Sequence, residues 1–150
     1  MGIVSRAVSA AVVAAAFAAV TPAIGHDHAT GIVKERMEQM EVMAKHMKAI
    51  GERIKNQCDL AAIKADAAAV AALAPHLTHL FPKGSTQTPT EAKAAIWKNW
   101  PDFESKVRAL EVESGKLANM NSEDIGAIGS QVRAVSQACG ACHEKYRVKK

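Results

Sequence analysis

Several features are scarce or missing, and each absence narrows the reading. No stretch of the 150 residues alternates apolar and polar positions convincingly enough for a strand, and no repeat or low-complexity tract follows the N-terminal region. Past residue 25, no apolar run looks long enough to cross a bilayer, which takes about 20 residues. Charge of one sign is scarce too: 19 Lys and Arg face 15 Asp and Glu. That excess is too small to argue for nucleic acid. Part of it is the tail "RVKK", which can serve as a helix end carrying cations against its dipole. Cysteine is limited to three residues, with no second Cys/His pair spaced to complete a closed zinc site. No paired acid and base groups are visible, so catalysis is not expected.

What is present begins with an N-terminal address. "MGIVSRAVSAAVVAAAFAAVTPAIG" has a start carrying Arg6, an apolar run from Ala7 to Val20, and small residues after it. That is the layout of a secretory signal. Residues 1–25 are expected to be removed by a cut after Gly25, with a cut after Ala23 as second choice. Residues 26–150 then form one soluble domain. Loss of Arg6 leaves 18 basic against 15 acidic residues, a net charge of +3. Export also sets the redox setting, because outside the cytosol a cysteine pair tends to oxidise unless something occupies it.

The mature chain divides into four amphipathic patterns. Segment A runs from about Ile32 to Ile54, with Thr30 as N-cap. Segment B starts near Asp59 and brings Leu60, Ile63, Ala67, Val70, Leu77 and Leu80 to one face. Pro75 is expected to kink or shorten it. "FPKGSTQTP" is the clear loop. Segment C carries Ile96, Trp100, Phe103, Val107 and Leu110, with Pro101 in a first turn. Segment D follows Ser122 as N-cap and repeats Ile125, Ile128, Val132, Val135, Cys139, Cys142 and Tyr146 at spacings of three and four. Four helices with short connections predict an all-α, antiparallel up-and-down four-helix bundle.

Segment D also carries "CGACH", residues 139–143. Cys139 and Cys142 fall one turn apart in the core-facing stripe. A thiol-disulfide exchange pair would need an accessible thiolate at a helix N-terminus, and this pair sits toward a C-terminus. In an exported chain, C-x-x-C-H is the pattern of c-type haem attachment. Two sulfurs one turn apart can reach both vinyl groups on one porphyrin edge, and His143 is then directed over the ring to bind iron. A haem-free helical interaction protein, its CxxC closed as a disulfide, is the alternative from another class.

The second axial position decides function, because iron can take another protein ligand or stay open. On segment A, Val33, Met37, Met40, Met43, Ala44, Met47 and Gly51 share one arc, and Arg36 falls within it. Methionines at this spacing also serve as core filler. A guanidinium in an apolar arc needs an anion, either a haem propionate or a neighbouring helix's carboxylate. Depth separates the methionines if A and D run antiparallel. Met40 lies about 13 Å from the start of A, His143 about 10 Å from the chain end, and Met47 about 24 Å in. Met40 is therefore the leading candidate, with Met37 and Met43 behind it.

These residues resemble the cytochrome c-prime superfamily of class II c-type cytochromes, over essentially the whole mature chain. "CGACHEKYR" is similar to its haem motif, and "LAPHLTHLFP" and "AAIWKNWPDF" to its second-helix end and third-helix tryptophan-phenylalanine segment. Arg36, four residues before Met40, is similar to the first-helix arginine that precedes the distal residue. Typical members carry a non-ligating Leu, Phe or Tyr there and bind nitric oxide or carbon monoxide at five-coordinate iron. In the low-spin cytochrome c-556 branch a methionine ligates, and this sequence has Met40.

The resemblance implies one haem c held through Cys139 and Cys142, with His143 and Met40 as iron ligands. It also implies Arg36 near a propionate and Arg147 near the proximal His143. The expected function is periplasmic one-electron transfer with redox partner proteins, with five-coordinate gas binding as the alternative. A homodimer through the first two helices is admitted by resemblance alone.

Other residues are weighed and set aside. Cys58, at the A–B turn, could link two chains or stay a half-buried thiol. The new N-terminus His26-Asp27-His28 has the ligands for a planar copper site but equally reads as a frayed end. His46, His76 and His79 are expected in solvent, and Gly126 and Gly129 to pack closely against a neighbour or the porphyrin.

Overall fold

The computed structural model describes residues 28–56 and 59–149. The signal sequence, His26, Asp27 and Cys58 lie outside the described residues, so the expectations placed on them are not addressed by the fold.

Five α-helices make up the described chain: α1 (Gly31–Lys55), α2 (Leu60–Leu73), α3 (Ala95–Lys98), α4 (Trp100–Ala118) and α5 (Ile125–Tyr146). The four long ones are the four segments of the sequence reading. Each touches its two neighbours in the order α1, α2, α4, α5 and misses the one diagonal to it, as in a bundle. Neighbours run antiparallel. Arg53 near the end of α1 pairs with Asp66 near the start of α2, and Asp102 near the start of α4 meets Tyr146 at the end of α5.

The breaks follow local chemistry. Pro75 ends α2's regular hydrogen bonding, and the chain continues as a 3₁₀ segment, Ala74–Leu80. Pro101 sits in the first turn of α4, where a missing N–H costs little. Asp59 adopts a left-handed φ of 60° and caps α2 by accepting from Ala62 N at 2.9 Å. The cap of α5 is Asp124 rather than the expected Ser122. The Asp124 carboxylate accepts from Gly126 N at 2.8 Å, while Ser122 Oγ accepts from Asp124 N. A Cβ at Gly126 would lie 3.2 Å from that carboxylate oxygen, so the tight approach there is to its own cap; at Gly129 the nearest such contact is Arg133 Nη1, 3.8 Å away.

The core is the apolar periodicity folded inward. Ile50, Val70, Phe103, Leu117, Ile128 and Val135 are fully buried. Burying a side chain of this size favours folding by roughly 1.5–3 kcal/mol. Ile125, expected inside, is 43% exposed because it opens the first turn of α5 beyond the packed layers.

One sequence expectation needs correcting. The stretch Leu60–Leu80 is long and apolar enough by composition to span a bilayer, with a mean hydropathy of 1.3. Its alanines raise that figure. In the fold, α2 packs between α1 and α4, with Ile63, Ala67 and Val70 buried and Lys64 and Asp66 in its first turns.

Candidate functional site

α5 presents the two thiols on its inward side, as its three-and-four periodicity requires. Cys139 and Cys142 are both free and half-buried against the core, together with Val132 and Ala138. Burial raises the pKa of both. For Cys142 it reaches about 11, opposed only partly by Lys106 on α4. Both are neutral thiols at pH 7, unlike the thiolates of an exchange pair. His143, one residue on, is an exposed residue of the last turns of α5. Partial desolvation lowers its pKa, Arg147 lowers it further, and Glu91 opposes both. The ring is therefore neutral at pH 7, the form that can donate a lone pair to a metal.

Across from α5, α1 lines the same core cluster with Met40 and Met47 half-buried and Met43 buried. Met37 is half-buried one turn toward the N-terminus, whereas Ala44 is exposed at the edge of the predicted arc. Of the four neighbouring helix pairs, α1 and α5 approach each other least. Two desolvated thiols one turn apart, an imidazole next to them and a methionine stripe on the neighbouring helix are residues that fit a covalently held haem. A zinc site fits less well, since no three His, Cys, Asp or Glu residues converge among the described residues.

Arg36 is buried, as its place in the apolar arc predicted, and its guanidinium holds four protein oxygens. Nε donates to Leu80 O at 2.9 Å. Nη1 donates to Ser85 O at 3.2 Å and Thr90 Oγ1 at 2.8 Å, and Nη2 to Ser85 Oγ at 2.5 Å. The guanidinium also stacks over the Phe81 ring, 4.2 Å from its centroid. The "FPKGSTQTP" loop supplies the two Ser85 oxygens, and its flanking residues Leu80 and Thr90 supply the others, so four of the five N–H donors are engaged.

Arg147 lies where expected, one turn past His143. Its N–H donates to His143 O at 3.0 Å and its Nε to Glu91 Oε2 at 2.6 Å. The sequence reading did not foresee Glu91 or Asp102. Tyr146 donates to Asp102 Oδ2 at 2.5 Å, and Lys145 donates to the same oxygen at 2.9 Å. The periodicity did place Tyr146 in the core, and a buried hydroxyl needs a partner, so a search for one was warranted. His46 also differs from expectation: it is half-buried and bonded to Asp66 at 2.8 Å, while His76 and His79 are exposed. Two shallow clefts lie away from the thiols. One, of about 200 Å³, lies between Arg53, Leu60 and Ile128, and the other, of about 440 Å³, between His79, Phe81 and Trp97.

Known proteins share this fold and sequence pattern. The family model described as Cytochrome C' matches residues 31–147. The chain is 32% identical over 122 residues to the cytochrome c-556 of Agrobacterium tumefaciens (strain II Chrys), covering 80% of this chain and 99% of that protein. It is 32% identical over 118 residues to a cytochrome c' of Rhodospirillum rubrum, covering 77% of this chain and 80% of that one. Among solved structures, cytochrome c' from Thermochromatium tepidum matches with a TM-score of 0.72 at 27% identity, over 79% of this chain and 95% of that chain. A nitric oxide complex of a cytochrome c prime mutant from Alcaligenes xylosoxidans matches with a TM-score of 0.71 at 28% identity, over 79% and 94%.

Proposed function

The chain belongs to the cytochrome c' family, and we propose that it is a periplasmic one-electron carrier whose iron is bound by His143 and Met40. It is a monohaem c-type cytochrome with covalently attached haem c. The observation that carries the finer reading is the shared core cluster of Met40, Cys139 and Cys142 between α1 and α5. The similarity to proteins named cytochrome c-556 agrees with it.

The haem supplies a one-electron iron couple, and the chain supplies its setting. Cys139 and Cys142 would hold the haem through thioether bonds to its two vinyl groups. His143, next on α5, would supply a neutral ring nitrogen to the iron. Met40, on α1, would supply a neutral thioether sulfur. With two protein ligands, little would change between oxidation states and little reorganisation would oppose transfer. Arg147 holds a positive charge one turn from His143, and its pairing with Glu91 moderates that charge. The proposed partners are periplasmic redox proteins. A second copy of the chain is a further candidate, since one similar cytochrome c' structure is described by its ligand-controlled dimer dissociation.

Gas binding is the competing reading, favoured by the nitric oxide complexes among the similar structures. Carbon monoxide titration of the reduced protein tests the two. Electron transfer with Met40 ligation predicts weak, slow binding by the wild type and fast binding by Met40→Ala. Fast binding by both would make Met40 a packing residue and the protein a gas binder.

A further inference from the structure

The polar contacts of Arg36 tie α1 to a segment that is itself tied to α5, a helix α1 touches little. On one side its guanidinium holds Leu80, Ser85 and Thr90 from α1, one turn before Met40. The same segment, immediately after Thr90, is stitched to the end of α5. Val148 N donates to Glu91 O at 2.8 Å, Lys93 N donates to Tyr146 O at 2.8 Å, and Ala92 bridges to Arg147. Glu91 also accepts from the Arg147 side chain. Thr90 Oγ1 ties the two halves together, accepting from Arg36 on one side and from Ala92 N at 3.2 Å on the other.

From this geometry we infer that Arg36 is a positioning residue. It clasps residues 80–93 as a strap across the end of the bundle. The strap holds the α1 turn that carries Met40 in register with the α5 turn that carries His143. Three observations support this. Four of the guanidinium's five hydrogens are committed to strap oxygens. The group is 4% exposed, so it does not reach outward for a ligand. Its flat face also covers Phe81, which packs at 4.9 Å on Phe103, and Phe103 packs at 5.7 Å on Tyr146. That aromatic chain repeats the link from α1 to α5 beneath the strap. Lysine could not replace this arginine, because a single ammonium cannot reach four oxygens set around a planar fork.

The consequence for ligation rests on the His143/Met40 reading, while the clasp itself does not. The test is amide hydrogen exchange on the haem-loaded protein, comparing wild type, Arg36→Lys and the milder Thr90→Val. The clasp predicts exchange about tenfold faster or more at Thr90, Lys93 and Val148 in Arg36→Lys, with the α2 and α4 core unchanged. Thr90→Val should move the same amides in the same direction by less, which keeps the test valid if the lysine variant folds poorly. Unchanged exchange with a shifted haem spectrum would assign Arg36 to the propionate and overturn the clasp. Faster strap exchange in a protein whose wild type lacks a sixth ligand would uphold the clasp and remove only the Met40 reading.

Discussion

The two ends of the bundle are held together differently. At the end away from the thiols, polar links join neighbouring helices in pairs: Asp66 with His46 and Arg53 across α1 and α2, and Glu113 with Gln131 across α4 and α5. A shallow cleft remains between Arg53, Leu60 and Ile128. At the thiol end, contacts between residues more than 40 apart in sequence converge instead. Arg36 reaches the 80–90 strap, Tyr146 and Lys145 reach Asp102, and Arg147 reaches Glu91. The first end is an ordinary bundle seam, held mainly by its apolar layers. The second is a cross-linked frame at the end that carries the two thiols, which fits the proposed site with ligands on two helices.

Breaking the frame at its chemical centre should have the largest effect. Cys139→Ala with Cys142→Ala should abolish covalent attachment. The purified protein's mass would then equal that of the polypeptide alone, and its haem would wash out under denaturing conditions. Mutations in the two cores sharpen the contrast. Phe103→Ala removes a ring that touches Phe81, Trp100 and Tyr146. It should cost about 3–5 kcal/mol in denaturant melts and speed exchange in the strap. Ile128→Ala, at the opposite end, should cost about 2–5 kcal/mol while leaving the strap's relative protection as it was. If both loosened the strap equally, the ends would not be distinct.

Much of this was legible beforehand because it depends on periodicity. The three-and-four spacing from Ile128 to Tyr146 put both thiols on the core face, and the methionine arc put Met40 on the inward side of α1. The strap was not legible. Glu91, Ser85 and Thr90 lie in a loop, where no period links residue type to partner. Arg36 stood out as a cation in an apolar arc, yet nothing in the sequence pointed to the carbonyl and hydroxyl oxygens it holds. The cap of α5 shifted by two residues because Ser122 and Asp124 are both good caps, and only the fold decides between them. Asp66 captured His46 for a similar reason, as the pairing spans two helices.

Smaller effects refine the frame. Tyr146→Phe keeps the ring and deletes the hydroxyl bonded to Asp102. It should cost about 1 kcal/mol, seen as faster exchange confined to the last turn of α5. The subtlest prediction concerns acid. Hydrogen bonds from Tyr146 and then Lys145 hold the Asp102 pKa below its usual 3.8. Its contribution is therefore complete above the unfolded value near 3.8 and fades as pH falls through the lower folded value. Asp102→Asn should flatten the acid limb of the stability profile. An unchanged limb would mean that the cluster does not tie α4 to α5.

The central claim is that Met40 completes the coordination set from the helix opposite His143. The most direct measurement is the optical and EPR spectrum of the ferric haem-loaded protein beside Met40→Ala. Low-spin iron with a sulfur-to-iron charge-transfer band in the wild type, both lost in the variant, is the predicted result. A high-spin wild type, indistinguishable from Met40→Ala, would contradict it.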